Sequence, residues 1–170
     1  MTAASPRPSL DRALERARVA AASVLDPEVP VLTIEDLGVL RDVAVTPDGA
    51  VVVTITPTYS GCPAMDAIRD DVRNTLGRSG FDRVDVRTVL SPAWTTDWMS
   101  ADGRRKLAEY GVAPPSPVRT SGPVAVSLGV RCPQCGSPDT RELSRFGSTA
   151  CKSLWQCRSC AEPFDHFKAI

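Results

Sequence analysis

The chain has no excess of charge of either sign, no long apolar run and almost no histidine, and each absence removes a class of function. Its 170 residues carry 20 Lys and Arg against 20 Asp and Glu. Such a balance gives no electrostatic reason to wrap nucleic acid or to coat an anionic membrane. No stretch approaches the roughly 20 apolar residues of a membrane span, and the opening Met1-Thr2-Ala3-Ala4-Ser5-Pro6 lacks the apolar centre of a secretory signal. A cytoplasmic protein is expected. The one histidine, His166, leaves a cysteine hydrolase without a base nearby, because a Cys–His pair would have to be assembled across two domains. No catalytic constellation is complete, and no internal repeat is present.

What is there begins with the apolar pattern. Leu10, Leu14, Ala17, Ala21, Val24 and Leu25 recur at helical spacing after Ser9, and Pro27 disfavours helical geometry at Asp26, so a helix is expected over residues 10–25. Val39, Val43 and Val45 alternate with polar neighbours, Pro47-Asp48-Gly49 supplies a turn, and Val51, Val53 and Ile55 alternate again, the pattern of a β-hairpin. Met65, Ile68, Val72 and Leu76 return to helical spacing, with Pro63 suited to the first helical position and Gly77 near the end. Val84, Val86 and Leu90 read as a third strand, and residues 101–110 as a short closing helix. The order α-β-β-α-β predicts a small α+β domain with helices packed on one face of a short mixed sheet. From Ala113-Pro114-Pro115-Ser116-Pro117 the composition turns to proline, serine, threonine and glycine, so a stiff linker over 113–129 is expected to separate a domain of residues 1–112 from one of residues 130–170. The second lies near the limit of roughly 40 residues below which a domain needs a metal or a disulfide to stay folded.

Four of the six cysteines fall in that small domain as Cys132-Pro133-Gln134-Cys135 and Cys157-Arg158-Ser159-Cys160. Two residues between cysteines let a tight turn direct both thiolates at one metal, and two such knuckles complete a tetrahedron with no open position. In a reducing compartment this predicts a zinc ribbon holding structural Zn2+ rather than disulfides. A rubredoxin-like iron site and nucleic-acid contact through the ribbon are left open by spacing alone. Cys151, in Phe146-Gly147-Ser148-Thr149-Ala150-Cys151-Lys152, is a thiol the tetrahedron does not need: either a small buried residue on a ribbon strand or a second working thiol. His166 reads as a surface residue between Phe164 and Phe167, which read as ribbon core. Trp94 and Trp98 read first as packing residues.

Cys62 stands alone in the first domain, within Thr56-Pro57-Thr58-Tyr59-Ser60-Gly61-Cys62-Pro63, where a strand pattern gives way to a helix pattern. With a helix opening at Pro63, Cys62 would occupy the cap, where unpaired N–H groups and the helix dipole favour thiolate. Asp66 and Asp70 on the first turns oppose this, so the sign of the net shift is open. A soft thiolate suits transient binding of iron, copper or a metal–sulfur cluster. Thr58 brings a hydroxyl, and Asp26 and Glu28 bring carboxylates that either assist or merely cap a turn beside two prolines.

Asp26-Pro27-Glu28-Val29-Pro30-Val31-Leu32-Thr33-Ile34, then Asp36-Leu37-Gly38, and the Thr56–Pro63 segment resemble the SufT-like, MIP-type iron–sulfur assembly domain. Pro92-Ala93-Trp94-Thr95-Thr96-Asp97-Trp98, Phe146–Lys152 and Glu162-Pro163-Phe164-Asp165 narrow the resemblance to the PaaD family, associated with phenylacetyl-CoA epoxidase in phenylacetate catabolism. The resemblance implies an accessory maturation protein rather than an enzyme, with the oxygenase or the reductase subunit of the epoxidase as partner and iron or an iron–sulfur cluster held transiently. Cys62 corresponds to the motif cysteine, and Asp26 and Glu28 to the acidic motif. Ligands found in some relatives, in the linker and just before the final residue, have no counterpart here, where Ala169 occupies the latter place; the four-cysteine site is expected to be self-sufficient. The rival expectations are a scaffold subunit joining oxygenase and reductase without metal chemistry and a zinc-ribbon nucleic-acid binder. A homodimer is left open, as is a transfer pair of Cys62 with Cys151.

Overall fold

The computed structural model describes residues 7–59, 61–116 and 130–170. Within it the chain divides into two compact units between Trp94 and Thr95.

The first unit is the expected α+β arrangement. Helix α1 (Arg7–Ala22) precedes strands β1 (Leu40–Val45) and β2 (Val51–Ile55), helix α2 (Ala64–Arg78) and strand β3 (Val84–Thr88). β1 and β2 form the antiparallel hairpin, with Val43 opposite Val53 and Val45 opposite Val51. β3 then joins β2 in parallel, Val53 opposite Val86, so the sheet is mixed and its order is β1-β2-β3. A parallel return needs a crossover, and α2 supplies it. α1 packs on β1, α2 on β3, and the helices on each other. The alternation that predicts β2 is the alternation of burial: Val51, Val53 and Ile55 are fully enclosed, as are Ala17 and Ala21 of α1 and Val72 and Leu76 of α2.

Element ends differ from the pattern. α1 stops at Ala22, and Leu25 is exposed and bridges Thr33 instead of continuing the helix. The backbone N–H of Asp26 donates to the Leu32 carbonyl at 2.9 Å, drawing the chain into the turn that holds the acidic motif. β3 stops at Thr88, leaving Leu90 exposed. α2 begins at Ala64 with Pro63 as its cap, and Gly77 lies inside the last turn.

The second unit opens with a 3₁₀ turn (Thr96–Trp98) and helix α3 (Ala101–Glu109), which the sequence pattern grouped with the first domain. The chain then runs along the ribbon sheet: Ala113 bridges His166, its N–H donating to the Asp165 carbonyl and its carbonyl accepting from Phe167. The sheet comprises β4 (Thr140–Ser144), β5 (Lys152–Cys157) and β6 (Pro163–Phe167), antiparallel in the order β4-β5-β6. Ala113, Cys132, Cys157 and Phe164 form its small core, with Val130 and Trp155 against them. Residues 117–129 of the expected linker lie outside the described residues.

Candidate functional sites

The ribbon thiols converge. In the first knuckle the Cys132 N–H donates to the Ser137 carbonyl and the Gly136 N–H to the Cys132 carbonyl, closing a tight turn. In the second, Cys157 ends β5 and Cys160 follows in the turn toward β6. All four Sγ atoms lie within 4.8 Å of one another, with Cys132 and Cys160 3.8 Å apart and Cys135 and Cys157 3.5 Å apart. A tetrahedron of thiolates about 2.3 Å from a central Zn2+ has edges of about 3.8 Å. The donor set and its spacing therefore fit a metal site of zinc type. The Cys160 N–H points at the Cys157 sulfur at 3.5 Å. It is the chief cause that draws the Cys157 thiol down to about 6. Cys132 and Cys157 are buried, while Cys135 and Cys160 reach solvent.

Cys62 sits one residue outside the cap of α2, not at the cap as the sequence suggests. Gly61 holds φ at +104°, a conformation side chains rarely adopt, and the Cys62 N–H donates to the Tyr59 carbonyl at 3.2 Å. This kinked approach leaves the thiol half-buried against the start of the helix. Its pKa is raised, with burial as the largest cause. The Ala64 N–H and the Thr58 hydroxyl hydrogen-bond the sulfur and oppose the rise, while the charges of Glu28 and Asp26 add to it. The helix end therefore does not supply a ready thiolate: desolvation and two carboxylates outweigh it. Asp66 and Asp70, expected to be the opposing charges, are ion-paired with Arg69 and Arg73 at 2.5 and 3.2 Å.

Asp26 is buried, and its Oδ1 accepts from the N–H groups of Glu28 at 2.9 Å and Val29 at 2.8 Å. It thus builds the turn, one of the two alternatives that spacing left open, and its charge adds to the rise at Cys62. Asp26, Glu28 and Cys62 do not converge as closely as the ribbon thiols, which among the described residues form the tight group of three or more potential ligands. Thr56 is 1% exposed, and its Oγ1 is a buried side-chain oxygen without a hydrogen-bond partner among the described residues. No sequence signal marks that orphaned hydroxyl, since burial at the end of β2 decides it.

Cys151 lies in the second unit, buried, with Sγ 3.0 Å from the Thr149 hydroxyl. The neighbouring Lys152 is also buried, 3.8 Å from the Asp165 carboxylate, a pair that sequence reading did not single out. His166 is not the surface residue expected: its Nδ1 lies 3.3 Å from the Ser153 hydroxyl, its ring meets Trp155 edge-on, and burial drives its pKa down to about 4. Trp94 is buried in the first unit and donates its indole N–H to the Leu37 carbonyl at 2.9 Å, a packing role. None of the helices among the described residues is long and apolar enough to cross a membrane.

Comparison with known proteins matches two separate parts of the chain. Residues 15–89 match the iron-sulfur cluster assembly protein family, and residues 116–168 match the PaaD zinc beta ribbon domain. A protein of Escherichia coli K12, provisionally named as one of the subunits of 1,2-phenylacetyl-CoA epoxidase, is 50% identical over 145 residues, covering 85% of this chain and 86% of its own. An Fe-S protein maturation auxiliary factor of Porphyromonas gingivalis is 40% identical over 86 residues, 50% of this chain and 81% of the relative. The auxiliary factor SufT of Staphylococcus aureus is 37% identical over 78 residues, 45% of this chain and 88% of the relative. Among solved structures, a domain of unknown function, DUF59, from Bacillus anthracis superposes with a TM-score of 0.55 at 27% identity, covering 59% of this chain and 95% of that one. The relatives of the first unit are named as auxiliary factors, not as catalysts, which supports an accessory role.

Proposed function

The chain belongs to the PaaD family, an iron–sulfur cluster assembly domain and a zinc β-ribbon on one polypeptide, and on that premise we propose that it is a maturation factor for phenylacetyl-CoA epoxidase, delivering iron or an iron–sulfur cluster to a partner subunit through Cys62. The observation that carries this reading is the half-buried Cys62 thiol under the combined influence of Glu28, Asp26 and Thr58. A thiol held protonated at neutral pH is a poor nucleophile but a serviceable ligand, because a bound metal displaces its proton. Asp26 or Glu28 then accepts that proton or contributes an oxygen ligand, and the Thr58 hydroxyl steadies the sulfur. Reprotonation weakens the metal–sulfur bond, which suits release rather than storage.

The ribbon is read as a structural Zn2+ site, complete in four thiolates, that braces its unit and offers a docking surface to the oxygenase or the reductase. Cys151 is read as a packed thiol. The test is reconstitution of the epoxidase with wild-type chain or Cys62→Ser, assaying iron in each partner subunit. Loss of iron from one subunit with the variant is expected and identifies the client. Full loading with Cys62→Ser, together with stable co-purification, would favour a scaffold without metal chemistry.

A further inference from the structure

We propose that two copies of the chain associate through the outer edge of β3, pairing antiparallel about Val86 so that the three-stranded sheets of their first units become one. The sheet edges differ among the described residues. β1 and β4 carry register shifts, at Leu40/Asp42 and at Glu142/Ser144, and an irregular edge is a poor template for a further strand. Beside β6 the chain at Ala113 bridges His166, so that edge is partly taken. β3 is regular: Val84 to Thr88 run in unbroken parallel register with β2, include neither proline nor lysine, and have no strand on their other side among the described residues.

The direction of the backbone groups fixes how such an edge pairs. The Val51 N–H donates to the Arg83 carbonyl and the Val89 N–H to the Ile55 carbonyl, both at 2.9 Å, so the odd-numbered residues turn their polar groups toward β2. Alternate residues of a strand point theirs the opposite way, which leaves Val84, Val86 and Thr88 to serve the outer edge. An antiparallel partner centred on Val86 sets Val86 against its own copy and Val84 against Thr88, and every outward group then belongs to a hydrogen-bonded pair. The same register sets Asp85 of each copy against Arg87 of the other. Their side chains are 56% and 63% exposed and ion-paired within the strand at 2.7 Å, so two local pairs become a ring of alternating charges. Neighbouring registers of the same hydrogen-bond parity bring Asp85 against Asp85 or Arg87 against Arg87, so charge selects Val86 as the centre. Leu90, 64% exposed just past the strand, comes to lie beside Val84 of the second copy, which is only partly covered in one chain.

The experiment is sedimentation velocity of the full zinc-saturated chain from micromolar to millimolar concentration at low salt, where exposed charges are least screened. A reversible dimer is expected. Asp85→Arg and Arg87→Asp each place like charges face to face across the seam and should weaken the dimer about tenfold or more. An equimolar mixture of the two variants restores opposite charges and should associate as the wild type does. Both positions are exposed, and an unchanged circular dichroism melt shows that each variant keeps the fold. Amide exchange reads the register: in the wild type Val84, Val86 and Thr88 should slow as concentration rises, while Asp85 and Arg87, held by β2 throughout, change little. A chain that stays monomeric at every concentration overturns the proposal. So does a dimer that each single variant forms equally well, a mixture that fails to recover association, or a dimer that leaves those three amides unprotected.

Discussion

A buried hydroxyl with nothing to bond is costly, and among the described residues Thr56 Oγ1 has no hydrogen-bond partner. Thr56→Val keeps the branched shape and removes the orphaned oxygen, so it should stabilise the first unit by about 1–2 kcal/mol. An upward shift of the urea midpoint with an unchanged slope would show it, whereas a lower midpoint would mean that ordered water satisfies the hydroxyl. His166 makes the opposite kind of claim. Its folded pKa, about 4, lies below its ordinary value of 6.5, so between those values the unfolded chain takes up the proton more readily. Its contribution is intact above pH 6.5 and is lost as the pH falls toward about 4. In zinc-saturated protein the pH dependence of the ribbon melting temperature should be shallower for His166→Asn than for wild type; parallel curves would contradict the burial argument. Neither residue was legible as such in the sequence. Threonine and histidine are named by pattern, but how far each is buried is set by neighbours distant in the chain.

At the scale of elements, the loop from β4 to β5 is fitted to the residues beneath it. A Cβ on Gly147 would stand 2.7 Å from Asp165 Oδ1 and 3.2 Å from Lys152 Cβ, and the Ser148 hydroxyl donates to Asp165 at 3.2 Å. Gly147→Ala should therefore destabilise the ribbon by roughly 1–3 kcal/mol, read as an earlier midpoint for zinc release on denaturant titration. A midpoint equal to wild type would show that the loop gives way freely. Helices and strands of the first unit were largely readable, because a stripe at positions such as Met65, Ile68, Val72 and Leu76 has one economical burial. Their ends were not. α1 stops before Val24 and Leu25 because Asp26 and its turn recruit the backbone, and that recruitment depends on Leu32 and Thr33 having returned to meet it.

For the whole molecule, the division into two compact units between Trp94 and Thr95 predicts that they unfold separately. With Cys132 and Cys135 both changed to Ser, the ribbon should lose its zinc and its melting transition, while the unfolding of the first unit persists. Loss of both together would show that the first unit needs the ribbon to fold. The sequence by itself determined the α+β class, the hairpin, the two cysteine knuckles and the family, since periodicity, turn residues and ligand spacing are local properties that survive without coordinates. The tertiary structure alone decided that α3 falls in the second unit, that His166 is partly buried against Ser153 and Trp155, and that Cys62 lies outside the cap with its pKa raised. The physical reason is common to all three. Packing partners and the balance of desolvation against charge depend on which distant residues share a volume, and linear spacing does not specify that.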